Sequence, residues 1–157
     1  MASIAGILQQ PKSHEWTTPP DFFAALDAEF GFTLDAAASH GNALCPDYYC
    51  GEWDRNGLTE PWTGVVWCNP PYGNEIGQWV ERGYRQAQLG ATVVMLIPAR
   101  TDTRYWHEYV MKASEIRFVR GRLRFGGGTA ERGQSAPFPS AVVVFRPGEN
   151  TPTLGVM

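Results

Sequence analysis

Four consecutive residues, Asn69-Pro70-Pro71-Tyr72, carry the most specific chemistry in this sequence. An amino group on a heteroaromatic ring is a poor nucleophile, because its lone pair is delocalised into the ring. Two acceptors aimed at its N–H bonds draw it toward a tetrahedral, nucleophilic geometry, ready to take a methyl group. The side-chain oxygen of Asn69 can supply one acceptor and the backbone carbonyl of Pro70 the other. Pro70 and Pro71 each have a fixed φ and restrict the residue before them, which holds that carbonyl in one direction. Tyr72 offers a flat face on which an extruded base can stack. The plain alternative is a proline-rich turn after a strand. With Pro at about 5% of residues, a chance match to Asp/Asn/Ser-Pro-Pro-aromatic arises on the order of once in 200 chains of this length.

The flanking elements are those that would position such a site. The apolar run Gly64-Val65-Val66-Trp67-Cys68 reads as a strand directly before the motif, and ligand crevices in open α/β sheets lie at the carboxyl ends of such strands. Upstream, Thr18 is expected to cap a helix with Pro19 at its first position and Asp21 three residues after the cap. Phe22, Phe23, Leu26 and Phe30 mark one face of that helix, and Gly31 stops it. Residues 32–35 read as the first strand, followed by the small residues Ala36-Ala37-Ala38-Ser39. Asp35 at the strand end is either a ligand acceptor or a turn cap. Residues 48–50 form a short strand. Ile76, Trp79, Val80, Gly83 and Ala87 make a core-facing helical stripe that ends at Gly90. Residues 91–97 are a strand buried on both faces. Thr101 or Asp102 caps a helix around Trp106, Tyr109 and Val110. Two strands, 115–119 and 123–125, are expected to join at Arg120-Gly121-Arg122, and residues 140–145 make the last strand. The segment 50–65 is too short for a helix plus a strand. The expectation is therefore an α/β fold in a single domain, 1–157. Its Rossmann-like sheet is mostly parallel, with an antiparallel C-terminal hairpin, and runs one strand short. Residues 1–13 are read as a loose leader and 147–157 as a tail without chemistry.

Composition fits this. The chain has 157 residues, 43% apolar and 18% charged, which suits one globular domain with a real core. No apolar run approaches bilayer length, and the N-terminal residues lack a basic start, so a cytoplasmic protein is expected. Cys45, Cys50 and Cys68 are an odd set with no disulfide framework. The spacing of His40, Cys45 and Cys50 fits no common zinc pair, so no metal is expected. Residues 1–97 hold 4 Lys/Arg against 11 Asp/Glu, whereas 98–157 hold 9 against 5. The acidic half suits a cationic ligand and the basic half a polyanion.

Asn69-Pro70-Pro71-Tyr72 resembles the catalytic motif of S-adenosylmethionine-dependent amino-methyltransferases, which act on adenine N6, cytosine N4, guanine N2 or a protein glutamine amide. Thr18-Pro19-Pro20 looks like the N-terminal cofactor motif of adenine-N6 enzymes. Asp35-Ala36-Ala37-Ala38 replaces the usual Gly-rich loop and is similar to the Asp-x-Ala-Ala segment of phage-type Dam-like DNA adenine methyltransferases. In that family an acidic residue, Gly-Leu and a Trp lie just before the motif strand, matched here by Asp54, Gly57-Leu58 and Trp62. The resemblance implies a fold of the methyltransferase type and a DNA adenine-N6 methyltransferase of phage or prophage origin, working in a bacterial host. Asn69, Pro70, Pro71 and Tyr72 would be catalytic. Trp16, Thr17, Thr18, Pro19, Asp35, Ala36, Asp54, Leu58 and Asn69 would hold S-adenosylmethionine. Arg100, Arg104, Arg122 and Arg124 would contact duplex DNA with its target adenine flipped out, and the Gly-rich 126–137 segment would help hold DNA or be disordered without it. The alternatives are a protein-glutamine or RNA amino-methyltransferase, or a non-catalytic DNA-binding module on the same fold.

Overall fold

A computed structural model describes residues 16–51, 55–126 and 134–157. The leader, Asp54 and residues 127–133 of the Gly-rich segment lie outside the described residues.

The elements in chain order are α1 (Pro20–Phe30), β1 (Leu34–Asp35), β2 (Asp47–Tyr48), β3 (Val65–Cys68), α2 (Ile76–Gln88) and β4 (Thr92–Pro98). Then follow α3 (Arg104–Glu108), a 3-10 turn (Val110–Lys112), β5 (Glu115–Phe118), β6 (Arg124–Phe125), β7 (Gln134–Ser135), β8 (Ser140–Phe145) and β9 (Thr153–Val156). Seven strands form one sheet in the order β2-β1-β3-β4-β8-β5-β9. β2, β1, β3 and β4 are parallel. β8 runs antiparallel to both β4 and β5, and β9 is parallel to β5. β6 and β7 pair antiparallel as a separate small sheet.

The central strands are apolar throughout because helices cover both faces. Trp67 projects toward α1, where its ring lies 5.4 Å from that of Phe23. Val93 and Met95 project the other way, onto α2. There a Cβ on Gly83 would stand 2.7 Å from Met95 Sδ, so a glycine lets the helix backbone lie against β4. α3 follows on the same side as α2, with Tyr105 against Gly77. Val93 to Ile97 and Ala141 to Val144 are all fully buried. Gly31 ends α1 as expected, with φ 67° and its N–H donating to Asp27 O. Among the described residues no helix is long and apolar enough to cross a membrane.

Several expectations are corrected. Thr18 does not cap α1: the helix begins at Pro20, Pro19 is the cap residue, and no side chain caps it. The Thr18 hydroxyl is instead taken by Asn69. Likewise Thr103, rather than Thr101 or Asp102, precedes α3. β5 and β6 make no hairpin. β8 has six buried residues and belongs inside the sheet, between β4 and β5. Gly121, with φ 72°, turns the chain away, and β6 pairs with β7. The tail is not featureless, since β9 becomes the edge strand beside β5. Among the described residues no strand lies between β2 and β3, and β9 brings the sheet to seven.

Candidate active site

β1 leads leftward to β2, whereas β3 leads rightward to β4, so the strand order reverses between β1 and β3. Outside the carboxyl ends of two such strands, the connecting chains diverge and leave a crevice. A cavity of about 170 Å³ lies here. Its floor is Ala36, Ala37 and Ala38 after β1, one wall is Asn69-Pro70-Pro71 after β3, and Trp16 with Thr17 borders it from the N-terminal side. The Ala36 N–H donates to Trp67 O and locks the two strand ends together.

Asn69 is the most constrained side chain of the site. Its Nδ2 donates to the Trp16 carbonyl at 2.6 Å and to Thr18 Oγ1 at 2.9 Å. Both amide hydrogens are thereby used, and the amide oxygen must face the other way. That oxygen, Oδ1, is buried and has no hydrogen-bond partner among the described residues. An unpaired buried acceptor costs about 1–3 kcal/mol, and a ligand N–H would remove that cost. Pro70 is buried beside it, and no backbone N–H donates to its carbonyl among the described residues.

Tyr72 sits deeper than the sequence implied. It is 3% exposed, its hydroxyl donates to Leu96 O at 2.9 Å, and its ring meets Phe138 and Phe125 edge-on at 5.4 and 6.2 Å. Burial, more than the neighbouring Cys68 and Tyr105, pushes its phenol well above the ordinary range. The face expected to be open to a base is covered in this conformation, because the ring has a satisfied hydroxyl and two aromatic neighbours.

Asp35 is 4% exposed. Its Oδ1 accepts from Ala37 N–H and its Oδ2 from Leu44 N–H, so it caps the turn after β1. Burial raises its carboxyl above the usual value, and the two backbone N–H groups oppose that shift. It also lines a smaller recess with Thr18 and Asn69, which keeps it within reach of a ligand. Ala36, Thr17 and Trp16 line the main cavity. Pro19 turns the chain into α1. Leu58 packs against the core behind the cavity, its N–H held by Asn56 Oδ1. The expected role of Asp54 lies outside the described residues.

Of the four arginines, Arg100, Arg122 and Arg124 are exposed on the carboxyl side of the sheet. Arg100 lies over the Phe138 ring at 5.8 Å. Arg104 is exposed on α3 and paired with Glu108. Arg120, just past the end of β5, is a fourth exposed arginine on that side, which the sequence reading passed over as part of a turn. The β6–β7 sheet alternates as strands do: Arg124 faces out, while Phe125 is 2% exposed and packs on Tyr72 and Trp16.

Sequence reasoning missed several residues at the cavity, Trp79 and Gly57 among them. Trp79, read as core stripe, lines it with a buried indole N–H that has no partner among the described residues. Helical spacing hid it, because a core residue and a cavity residue share one face. Gly57 lies against the backbone of Ala36, where a Cβ would stand 2.1 Å from Ala36 O. Its signal was available in Asn56-Gly57-Leu58, read there only as part of a motif. Among the described residues no group of three or more His, Cys, Asp or Glu could hold a metal ion.

The family profile of DNA N-6-adenine-methyltransferase (Dam) matches residues 7–154. A DNA N-6-adenine-methyltransferase of Escherichia phage T1 is 32% identical over 112 residues, covering 69% of this chain and 45% of the phage protein. One of Haemophilus phage HP1 (strain HP1c1) is 32% identical over 138 residues, covering 84% of this chain and 78% of that protein. The chain thus spans less than half of the T1 protein and most of the HP1 protein. With a profile match over nearly its whole length and a relative 32% identical over 84% of it, the chain belongs to the Dam family of DNA N-6-adenine-methyltransferases.

Proposed function

We propose that this chain transfers a methyl group from S-adenosylmethionine to the exocyclic N6 of an adenine flipped out of duplex DNA, using a single methyltransferase domain with a Rossmann-like sheet. The observation that carries the reading is the Asn69 amide, clamped through its nitrogen so that a buried oxygen, unpaired among the described residues, faces away from the clamp. The names of both phage relatives support adenine as the target, and their source supports a phage or prophage origin and a working place in the bacterial cytoplasm.

The residues present fit the cofactor. The alanine floor puts little side chain between the cavity and the backbone, and the buried Trp79 indole N–H that borders the cavity lacks a partner among the described residues. Trp16, Thr17, Ala36 and the Trp79 edge would hold it. When bound, the cofactor supplies an electrophilic methyl group on a sulfonium. Asn69 Oδ1 and Pro70 O accept the two N–H bonds of the adenine amine and orient its lone pair. Positioning provides most of the rate, and fixed dipoles rather than a strong base carry the developing charge. The proton on the product nitrogen passes to solvent. Arg100, Arg120, Arg122 and Arg124 would meet phosphates along the carboxyl edge.

The test is methyl transfer from labelled S-adenosylmethionine to unmethylated DNA, wild type beside Asn69→Ala, with nucleoside analysis of the product. Label in N6-methyladenine that vanishes in the variant is the expected result. Label only in RNA or protein would keep the chemistry and discard the substrate. Tight DNA binding with no transfer and no cofactor binding would reduce the chain to a binding module.

A further inference from the structure

We propose that the Trp16-Thr17-Thr18 strap positions Asn69 for catalysis, and that it selects an amide over a carboxylate at position 69. This deepens the reading of Asn69 as the amine acceptor and rests on it.

The strap is held by the small sheet. Thr17 N–H donates to Gly126 O, and Gly126 N–H donates to Thr17 O, both at 3.1 Å. In extended chain successive residues point to opposite sides, so bridging at Thr17 turns the Trp16 carbonyl away from Gly126. That carbonyl meets Asn69 Nδ2 at 2.6 Å. Thr18 is 4% exposed, and its hydroxyl accepts the second amide hydrogen at 2.9 Å. The sequence placed Thr18 at the cofactor. Its geometry has it act through Asn69, which makes it a positioning residue.

Two consequences follow. Without the Thr18 hydroxyl one amide hydrogen is unpaired, and the amide hangs on the Trp16 carbonyl alone, free to swing its oxygen out of line with the amine. A carboxylate at position 69 is worse placed. One of its oxygens would face the Trp16 carbonyl with no proton between them. The Thr18 hydroxyl can reverse and donate, but a backbone carbonyl cannot. The strap therefore makes asparagine the matching residue at this site.

The experiment compares Thr18→Val, Thr18→Ser and Asn69→Asp with wild type. Thr18→Val should lower kcat on DNA about 3- to 10-fold, the size of one neutral hydrogen bond. S-adenosylmethionine and DNA dissociation constants should stay within about twofold, and Thr18→Ser should restore kcat, since serine keeps the hydroxyl. Asn69→Asp should lose activity at pH 8 and recover part of it as pH falls, because a protonated carboxyl can donate to Trp16 O while its carbonyl still accepts. A second readout needs no turnover. The Asn69 side-chain amide protons, identified by their loss in Asn69→Ala, should exchange slowly in wild type and Thr18→Ser and fast in Thr18→Val. Slow exchange without any methyl transfer by wild type would sink the functional reading and leave the clamp standing. Unchanged exchange and unchanged kcat in Thr18→Val would overturn the inference. So would weakened cofactor binding with kcat unchanged at saturation, which would assign Thr18 to the cofactor instead.

Discussion

Replacing Gly57 by alanine adds one methyl group at the back of the cavity. Its Cβ would stand 2.1 Å from Ala36 O and 2.8 and 2.9 Å from two Trp79 ring carbons. Reaching even 3.0 Å from Ala36 O demands a retreat of roughly 1 Å. Neither side can give easily. The Ala36 N–H is tied to Trp67 O in the sheet, and the Gly57 carbonyl accepts from Trp62 Nε1 at 2.7 Å. Trp62 is 2% exposed, with its own N–H held by Gln86 Oε1. Overpacking of this kind costs about 1–3 kcal/mol, which for a chain of this size lowers Tm by roughly 2–12 °C. Ala36 and Trp79 both line the cavity, so the strain is felt where the cofactor is proposed to sit. If about 1 kcal/mol of it is expressed there, the S-adenosylmethionine Kd rises about fivefold. Thermal unfolding and titration calorimetry read the two effects. Gly51→Ala is the control, since a Cβ there meets nothing within 4 Å although Gly51 also borders the cavity. A Gly57→Ala protein that melts and binds like wild type would refute the close approach and the packing argument with it.

Tyr72→Phe keeps the ring on Phe125 and Phe138 and loses only the bond to Leu96 O, so thermal melting should show a loss of about 1 kcal/mol, with methyl transfer within about threefold. Tyr72→Ala empties the cluster and should cost about 3–5 kcal/mol in the same assay. Arg117 forms a bidentate pair with Glu29, which holds that carboxyl below its ordinary value. Its stabilisation is therefore present above the unfolded carboxylate pKa and lost as pH falls through the lower folded one. Glu29→Gln should melt below wild type at pH 7, and melts across pH 7 to 3 should show the gap closing (about that range by the usual carboxylate values). Arg122→Ala combined with Arg124→Ala should weaken DNA binding across sequences and flatten the salt dependence by about 2 in log–log slope, measured by binding titrations at several salt concentrations.

Most elements were legible in the sequence because their signals are local. A proline pair fixes its own backbone, the 91–97 run has no polar residue to face water apart from Thr92, and Gly31 stops α1 through its own φ. The stripe from Ile76 to Ala87 likewise announced α2. Strand pairing was not legible. Residues 115–119 and 123–125 are near in sequence and looked like a hairpin, but the six buried residues of β8 fit only between two strands and displaced that pairing. The tail joined the sheet because β5 still had an open edge, a fact about its neighbours rather than its composition. The same distinction runs through the site. Sequence marked Asn69, Thr18 and Tyr72 as residues of interest, since residue type carries the capacity to donate, accept or stack. Which capacity each one uses depended on what folding brought within about 3 Å, the reach of a hydrogen bond. Thr18 could cap a helix or hold an amide, and the amide of Asn69 decided it. Tyr72 could present a face or bury it, and Phe125 and Phe138, more than 50 positions away, decided that.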